Sequence, residues 1–182
     1  MFKTVKVGIK GITPLLFNRF LEADISSNIK KHVGSNNPKD PAMKLYTTED
    51  GKIYTPSTHI YGSLVDAAKN FNIVGKKRAT YSKIFGSVIS IEPDVIIHKK
   101  QEWEVFSISA VNPNTRGRIM VHRPMLKKWE IEFEIIFNDD DIPVEVLKSV
   151  IDWAGQYSGI GDWRPNKKGK YGKFMVTKFD CN

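Results

Sequence analysis

The chain has 182 residues, 41% of them hydrophobic, 11% aromatic and 26% charged. These proportions suit one globular domain with its own core and exclude a disordered, collagen-like or coiled-coil chain. Lys and Arg total 28 against 20 Asp and Glu, a net charge of +8, which points to a polyanionic partner.

The cations are unevenly placed. Residues 1–90 hold 14 cations and 6 acids, whereas residues 91–182 hold 14 of each. Within that second half, residues 130–162 carry nine acids and one lysine, and residues 163–182 carry six cations and one acid. The basic stretches are Lys76-Lys77-Arg78 with Lys83, the set Arg116, Arg118, Arg123, Lys127 and Lys128, and the tail from Arg164 to Lys178. An acidic band before a basic tail also permits head-to-tail self-association. No apolar run reaches the ~18 residues of a membrane span. The N-terminus, which alternates lysines with apolar residues, lacks a signal-peptide core, so a cytoplasmic protein without a membrane partner is expected. The single cysteine, Cys181, excludes an intramolecular disulfide and a cysteine-based zinc site.

In chain order, Phe2, Val5, Val7, Ile9 and Ile12 predict a strand over 2–12. Residues 13–55 are weakly patterned and read as an insertion. Thr55-Pro56-Ser57-Thr58 predicts a helix start capped by Ser57 or Thr58, with Ile60, Leu64, Ala67, Ala68 and Phe71 on one face. Residues 72–87 are basic and glycine-punctuated. Residues 88–97 read as a strand broken at Pro93, and 103–111 with 117–123 as the arms of a hairpin.

The clearest pattern is at 129–137, where Trp129, Ile131, Phe133, Ile135 and Phe137 alternate with Glu130, Glu132 and Glu134. That is a half-buried antiparallel strand. Asp139-Asp140-Asp141 then turns into a helix with Pro143 in its first turn and Val146, Leu147, Val150, Ile151, Ala154 and Tyr157 as its apolar stripe. The helix ends at Ser158-Gly159, a glycine-rich basic loop follows, and a last strand runs through Phe174, Val176 and Phe179. The order is β-α-β-β-α-β with insertions, so an α+β, ferredoxin-like antiparallel sheet in a single domain over 1–182 is expected.

The loop from Gly159 to Phe174 carries the strongest functional signal. It holds four glycines, the five cations Arg164, Lys167, Lys168, Lys170 and Lys173, and the aromatics Trp163 and Tyr171. Lysines neutralise phosphates and aromatic rings stack on bases, which is what a single-stranded nucleic-acid groove needs. Trp163 is expected to plug the core. The loop lacks the Gly-Lys-Ser/Thr ending of a Walker loop and only loosely echoes an RNP1 motif.

This helix, glycine-rich loop and closing strand ending Tyr171-Gly172-Lys173-Phe174-Met175-Val176 resembles the RAMP superfamily of CRISPR RNA-binding proteins. The stretch Tyr54-Thr55-Pro56-Ser57-Thr58-His59-Ile60-Tyr61-Gly62-Ser63-Leu64 is similar to that superfamily's first-helix start. The Gly159-Ile160-Gly161-Asp162-Trp163-Arg164-Pro165 motif and Ile12-Thr13-Pro14-Leu15-Leu16 also resemble a group of uncharacterised bacteriophage proteins. The first resemblance implies a ferredoxin-like fold and a noncatalytic subunit of a ribonucleoprotein that coats single-stranded RNA, without a cofactor. It places His59, Ser63 and the Lys167–Lys173 loop on the RNA backbone. Charge alone adds Lys76, Lys77, Arg78, Arg116, Arg118 and Arg164.

Alternatives differ in class. A phage single-stranded DNA-binding protein fits the same charges. An interaction protein that lays its basic face on an acidic protein surface fits them too. A metal-independent RNA endonuclease of RAMP type needs a histidine base within reach of a 2′-hydroxyl, and His32, beside Lys30 and Lys31, is the candidate. His98 and His122 lie in strand-like stretches and are expected to be structural. No metal-ligand spacing is present; the three aspartates at 139–141 are expected to serve the turn and helix start.

Overall fold

The computed structural model describes residues 1–20, 40–76, 78–111 and 115–181. His32 with Lys30 and Lys31, and Lys77, therefore lie outside the described residues. Four strands form the main sheet: β1 (Phe2–Gly11), β4 (Ser90–Glu92), β8 (Glu130–Asn138) and β9 (Phe174–Cys181), in the order β4-β8-β1-β9. Every neighbouring pair is antiparallel. Two helices complete the motif, α1 (Ser57–Ala67) between β1 and β4, and α3 (Val144–Trp153) between β8 and β9. The topology is α+β and ferredoxin-like.

Alternation builds the sheet. The register sets Val5 beside Ile135, Val7 beside Phe133 and Ile9 beside Ile131, so six apolar side chains share one face. All six are at most 4% exposed. Helices α1 and α3 cover them with Ile60, Leu64 and Ala67, and with Leu147, Val150 and Ile151, each no more than 1% exposed. A fully buried side chain of this size contributes ~1.5–3 kcal/mol, so this layer dominates stability. In β9 the apolar spacing breaks, because Val176 and Phe179 are three residues apart. A register shift between Gly8 and Ile9 compensates, placing Val176 opposite Ile9 and Phe179 opposite Val7.

The predicted strand over 88–97 divides at Pro93 as expected, but its halves join different sheets. β4 pairs with β8, whereas β5 (Val95–Ile97) pairs with β3 (Tyr54–Pro56). The hairpin is β6 (Glu104–Val111) with β7 (Arg118–Leu126), and β2 (Leu15–Leu16) joins β7 as a third strand. Part of the expected insertion thus docks on the hairpin sheet. The basic stretch 72–87 contains a short helix not read from sequence, α2 (Ser82–Val88), anchored by the fully buried Phe85.

Three local expectations are corrected. Helix α1 has no side-chain cap: Pro56, the last residue of β3, leads directly into the helix, and the Ser57 hydroxyl donates to Asp94 at 2.9 Å. The aspartate turn serves another purpose than the helix start, since Asp139 pairs with Lys3 at 2.6 Å. That hydrogen bond, then the terminal amino group, holds the Asp139 carboxyl down to about 2. Finally, Tyr157 leaves the apolar stripe. Residues Ala154–Ser158 wind as one π-helical turn, closed by Gly159 N–H donating to the Ala154 carbonyl at 2.7 Å. Along this turn Ser158 faces inward, at 2% exposure, and Tyr157 outward, at 59%.

Candidate nucleic-acid interface

The glycine-rich loop folds back on itself. Its two limbs are laced by Ile160 N–H to the Gly172 carbonyl at 3.0 Å, Tyr171 N–H to Trp163 at 3.1 Å and Gly169 N–H to Arg164 at 3.0 Å. The approach is so close that a Cβ on Gly172 would lie 1.8 Å from the Ile160 oxygen, and one on Gly169 1.7 Å from the Trp163 oxygen. Glycine is required there for space, and at Gly172 also for a φ of +69°. The loop is also tied to the segment around β2, through Gly172 N–H to Pro14 at 2.8 Å, Lys173 N–H to the Thr13 hydroxyl at 2.9 Å and Asp162 N–H to Leu16 at 2.9 Å. An ion pair between Arg123 of β7 and Asp162, at 2.8 Å and half-buried, fastens it to the hairpin. Arg123 is thus a loop anchor and not a rim cation.

Trp163 does not plug the core. With its backbone at φ +48°, it turns toward the hairpin and remains half-buried. Its ring lies 6.4 Å from Tyr171, the planes inclined by 27°. Phe106 of β6 meets both edge-on, at 6.1 Å and 5.4 Å. These rings, with Ile108 and the stretch Lys167–Lys170, line a cleft of about 610 Å3 between hairpin and loop. Lys167, Lys168 and Lys170 are exposed on its rim, and the Lys170 ammonium stands 5.6 Å from the Tyr171 ring centre. None of the three forms an ion pair among the described residues, whereas Lys3, Lys6, Lys99 and Lys178 of the main sheet and its margins all do. Unpaired lysines around aromatic rings can hold a phosphate and a base together.

A second, smaller concavity of about 150 Å3 lies where α1 meets the loop. His59, Gly62 and Ser63 form its helical wall, and Gly161 and Arg164 its loop wall. The Ser63 hydroxyl and His59 Nδ1 are shielded from solvent yet have no hydrogen-bond partner. Buried polar atoms are normally satisfied, so these two stand out as groups the fold leaves without a partner. Burial, then the nearby Arg164 charge, pushes the His59 imidazole down to about 4, so it is neutral at pH 7. The Arg164 guanidinium also donates to the Gly161 carbonyl at 2.9 Å.

The residues singled out from sequence therefore separate. His59, Ser63 and Arg164 share one concavity; Lys167, Lys168, Lys170 and Tyr171 share the other; Lys173 is held in the loop by its backbone. Lys76 and Arg78 are exposed on a turn closed by the Asn72–Thr80 bridge, beyond the far end of α1 from His59. Arg116 and Arg118 sit at the hairpin tip, where Val111 pairs with Arg118; that is five residues, ~17 Å of strand, from Phe106. Neither pair lines the two concavities, because summed charge carries no information on which turn holds it. Phe106 was missed, although its period-two alternation with Ile108 and Ala110 marked a face of the predicted arm.

His98 and His122 are both engaged within the fold. His98 is 2% exposed, its Nε2 2.8 Å from the Thr55 hydroxyl, and burial pushes it down to about 4. His122 Nδ1 lies 2.7 Å from the Ser107 hydroxyl. No cluster of three His, Cys, Asp or Glu suited to a metal ion occurs among the described residues. No described helix is long and apolar enough to cross a membrane.

No protein-family model matches the chain, and no curated protein is similar to it in sequence. Solved structures do match. One is a chain of the type III-B Cmr-beta bound to cognate target RNA, determined by cryo-EM, with a TM-score of 0.61 and 15% sequence identity over 99% of this chain. What the two share is the fold. The present chain spans 60% of that chain's length. The likeness of the Gly159–Pro165 motif to bacteriophage proteins has no counterpart in these comparisons.

Proposed function

We propose that this protein is a noncatalytic RNA-binding subunit of a ribonucleoprotein that coats single-stranded RNA along its glycine-rich loop. The observation that carries the reading is the rim of unpaired Lys167, Lys168 and Lys170 around the Phe106–Trp163–Tyr171 cleft. Beside it, His59 and Ser63 line a smaller concavity whose buried polar atoms the fold leaves unsatisfied. The fold likeness to a chain of an RNA-bound Cmr-beta supports the choice of RNA, as does the RAMP-like helix start and loop.

In this mechanism the loop cations neutralise phosphates, the rings stack on bases, and little base identity is read. Neutralising four phosphates of a single strand with Arg164, Lys167, Lys168 and Lys170 gives a slope of log affinity on log salt near −3, since each contributes ~0.7. Binding should weaken ~50-fold between 50 and 200 mM salt. Fluorescence anisotropy with a labelled unstructured RNA and its DNA counterpart tests this. A flat salt dependence overturns the mechanism, and equal binding of the DNA overturns the preference for RNA. Cleavage of a hairpin RNA that His32→Ala abolishes would overturn the noncatalytic assignment.

A further inference from the structure

The exposed Tyr157 is unaccounted for by the fold. The apolar stripe of α3 leads one to expect it buried, yet in the π-turn that follows α3 it faces outward while Ser158 is buried. Single π-turns inside helices are frequent at functional sites. The Tyr157 ring lies 4.2 Å from Trp153, with the planes inclined by 34°, and Trp153 is itself braced edge-on by Phe71 at 6.0 Å. The pair is therefore a supported aromatic platform facing solvent.

The platform borders a polar pocket of about 420 Å3, shared with Asn70, Asn166, Lys69 and Lys167. Its one carboxylate, Asp66, is already engaged: Lys69 donates to Oδ1 at 3.0 Å and the Ser158 hydroxyl to Oδ2 at 2.9 Å. Asn166 also bonds Asp66, and Asn70 Nδ2 donates to the Ala67 carbonyl at 3.1 Å, so Lys167, which forms no ion pair among the described residues, is the open cation that matches a phosphate. Lys167 lines this pocket and also the Phe106–Trp163–Tyr171 cleft on the other side of the loop. Two aromatic pairs thus flank one unpaired lysine.

We propose that the Tyr157–Trp153 pocket is a second nucleobase site, taking a base of the same strand that occupies the loop cleft, with Lys167 on the phosphate between the two bases. The inference rests on the RNA-binding reading. Stacking on Tyr157 adds affinity and lengthens the occupied stretch without adding a neutralised phosphate. Removing the ring should therefore weaken binding while leaving the salt slope unchanged, and removing the lysine should lower the slope.

The test uses the full chain with labelled oligoribouridylates of increasing length. Tyr157→Ala is expected to bind ~10-fold or more weakly, with an unchanged salt slope and a minimal tight-binding length shorter than that of the wild type. Tyr157→Phe, which keeps the ring, should bind like the wild type, and Lys167→Ala should reduce the slope by about 0.7. An unchanged circular dichroism melt of Tyr157→Ala separates loss of the site from loss of the fold. Wild-type affinity and length dependence in Tyr157→Ala, with binding still lost in Tyr171→Ala, would overturn this second site and leave the RNA reading standing. Absence of RNA binding by the wild type would overturn both.

Discussion

Gly62 offers a test in which stability and binding should move in opposite directions. It sits inside α1, where glycine costs about 0.5–1 kcal/mol relative to alanine, because its backbone loses more freedom on folding. No atom lies within 4 Å of the position a Cβ would take, so the methyl group meets no steric objection within the protein. Gly62→Ala should therefore stabilise the fold, raising Tm by about 1–4 °C for a chain of this size. Yet Gly62 lies on the wall that also carries His59 and Ser63. A strand approaching those two groups would meet the new methyl group first. In the proposed complex, holding the strand off this wall forfeits a hydrogen bond to a charged phosphate, worth about 1.5–3 kcal/mol, or roughly ten- to hundredfold in affinity. Thermal melting and RNA anisotropy on one preparation read both effects. A raised Tm with unchanged affinity would refute the approach of RNA to α1. A lowered Tm would refute the claim that the helix has room for the methyl group.

Gly169→Ala should show the opposite balance. Its Cβ would stand 1.7 Å from the Trp163 oxygen, so the loop limbs must part by more than 1 Å and the Tyr171–Trp163 hydrogen bond is lost. A cost of about 1–3 kcal/mol and a fall in Tm are expected, with RNA affinity reduced more than tenfold because Trp163 and Tyr171 separate; wild-type affinity by anisotropy would show that the cleft geometry does not matter. Acid should also destabilise the protein. His98 and His59 are held near pKa 4 against 6.5 when unfolded, so between those values the unfolded chain binds more protons. Their stabilising share is complete above pH 6.5 and is lost as pH falls toward 4, with a slope of up to ~1.4 kcal/mol per pH unit for each histidine. Denaturant melts across that range should steepen accordingly, and His98→Gln should flatten them in part; a profile unchanged by His98→Gln would refute its burial as the neutral imidazole.

What sequence reading recovered here depended on how local each determinant was. The alternation from Trp129 to Phe137 names β8 and its buried face, because strand geometry repeats every two residues whatever the strand pairs with. The element order then leaves few topologies, and the ferredoxin-like one follows. Tyr157 shows the limit of periodicity: the stripe from Val146 predicts its burial, but it falls in the π-turn and faces outward, while its neighbour Ser158 is buried and reaches Asp66 across 92 positions. Ser57 fails as a cap for the same reason, its hydroxyl being claimed by Asp94, which only folding brings near. Charge is less legible still. Lys99 and Lys168 are equivalent in a sequence count, yet Lys99 is held by Glu130 and Glu132 at 2.7 and 2.6 Å, whereas Lys168 has no ion-pair partner among the described residues. A net charge of +8 therefore does not locate an interface. Unpaired charge alone does not locate one either, since Lys76, Arg78, Arg116 and Arg118 also form no ion pair among the described residues; what sets the loop apart is that its unpaired lysines stand where hairpin and glycine-rich loop bring three aromatic rings together. That coincidence of open charge and open ring is supported by the Arg123–Asp162 pair, a direct tie from loop to hairpin that adds to the backbone bonds running from the loop to Pro14 and Leu16 beside β7.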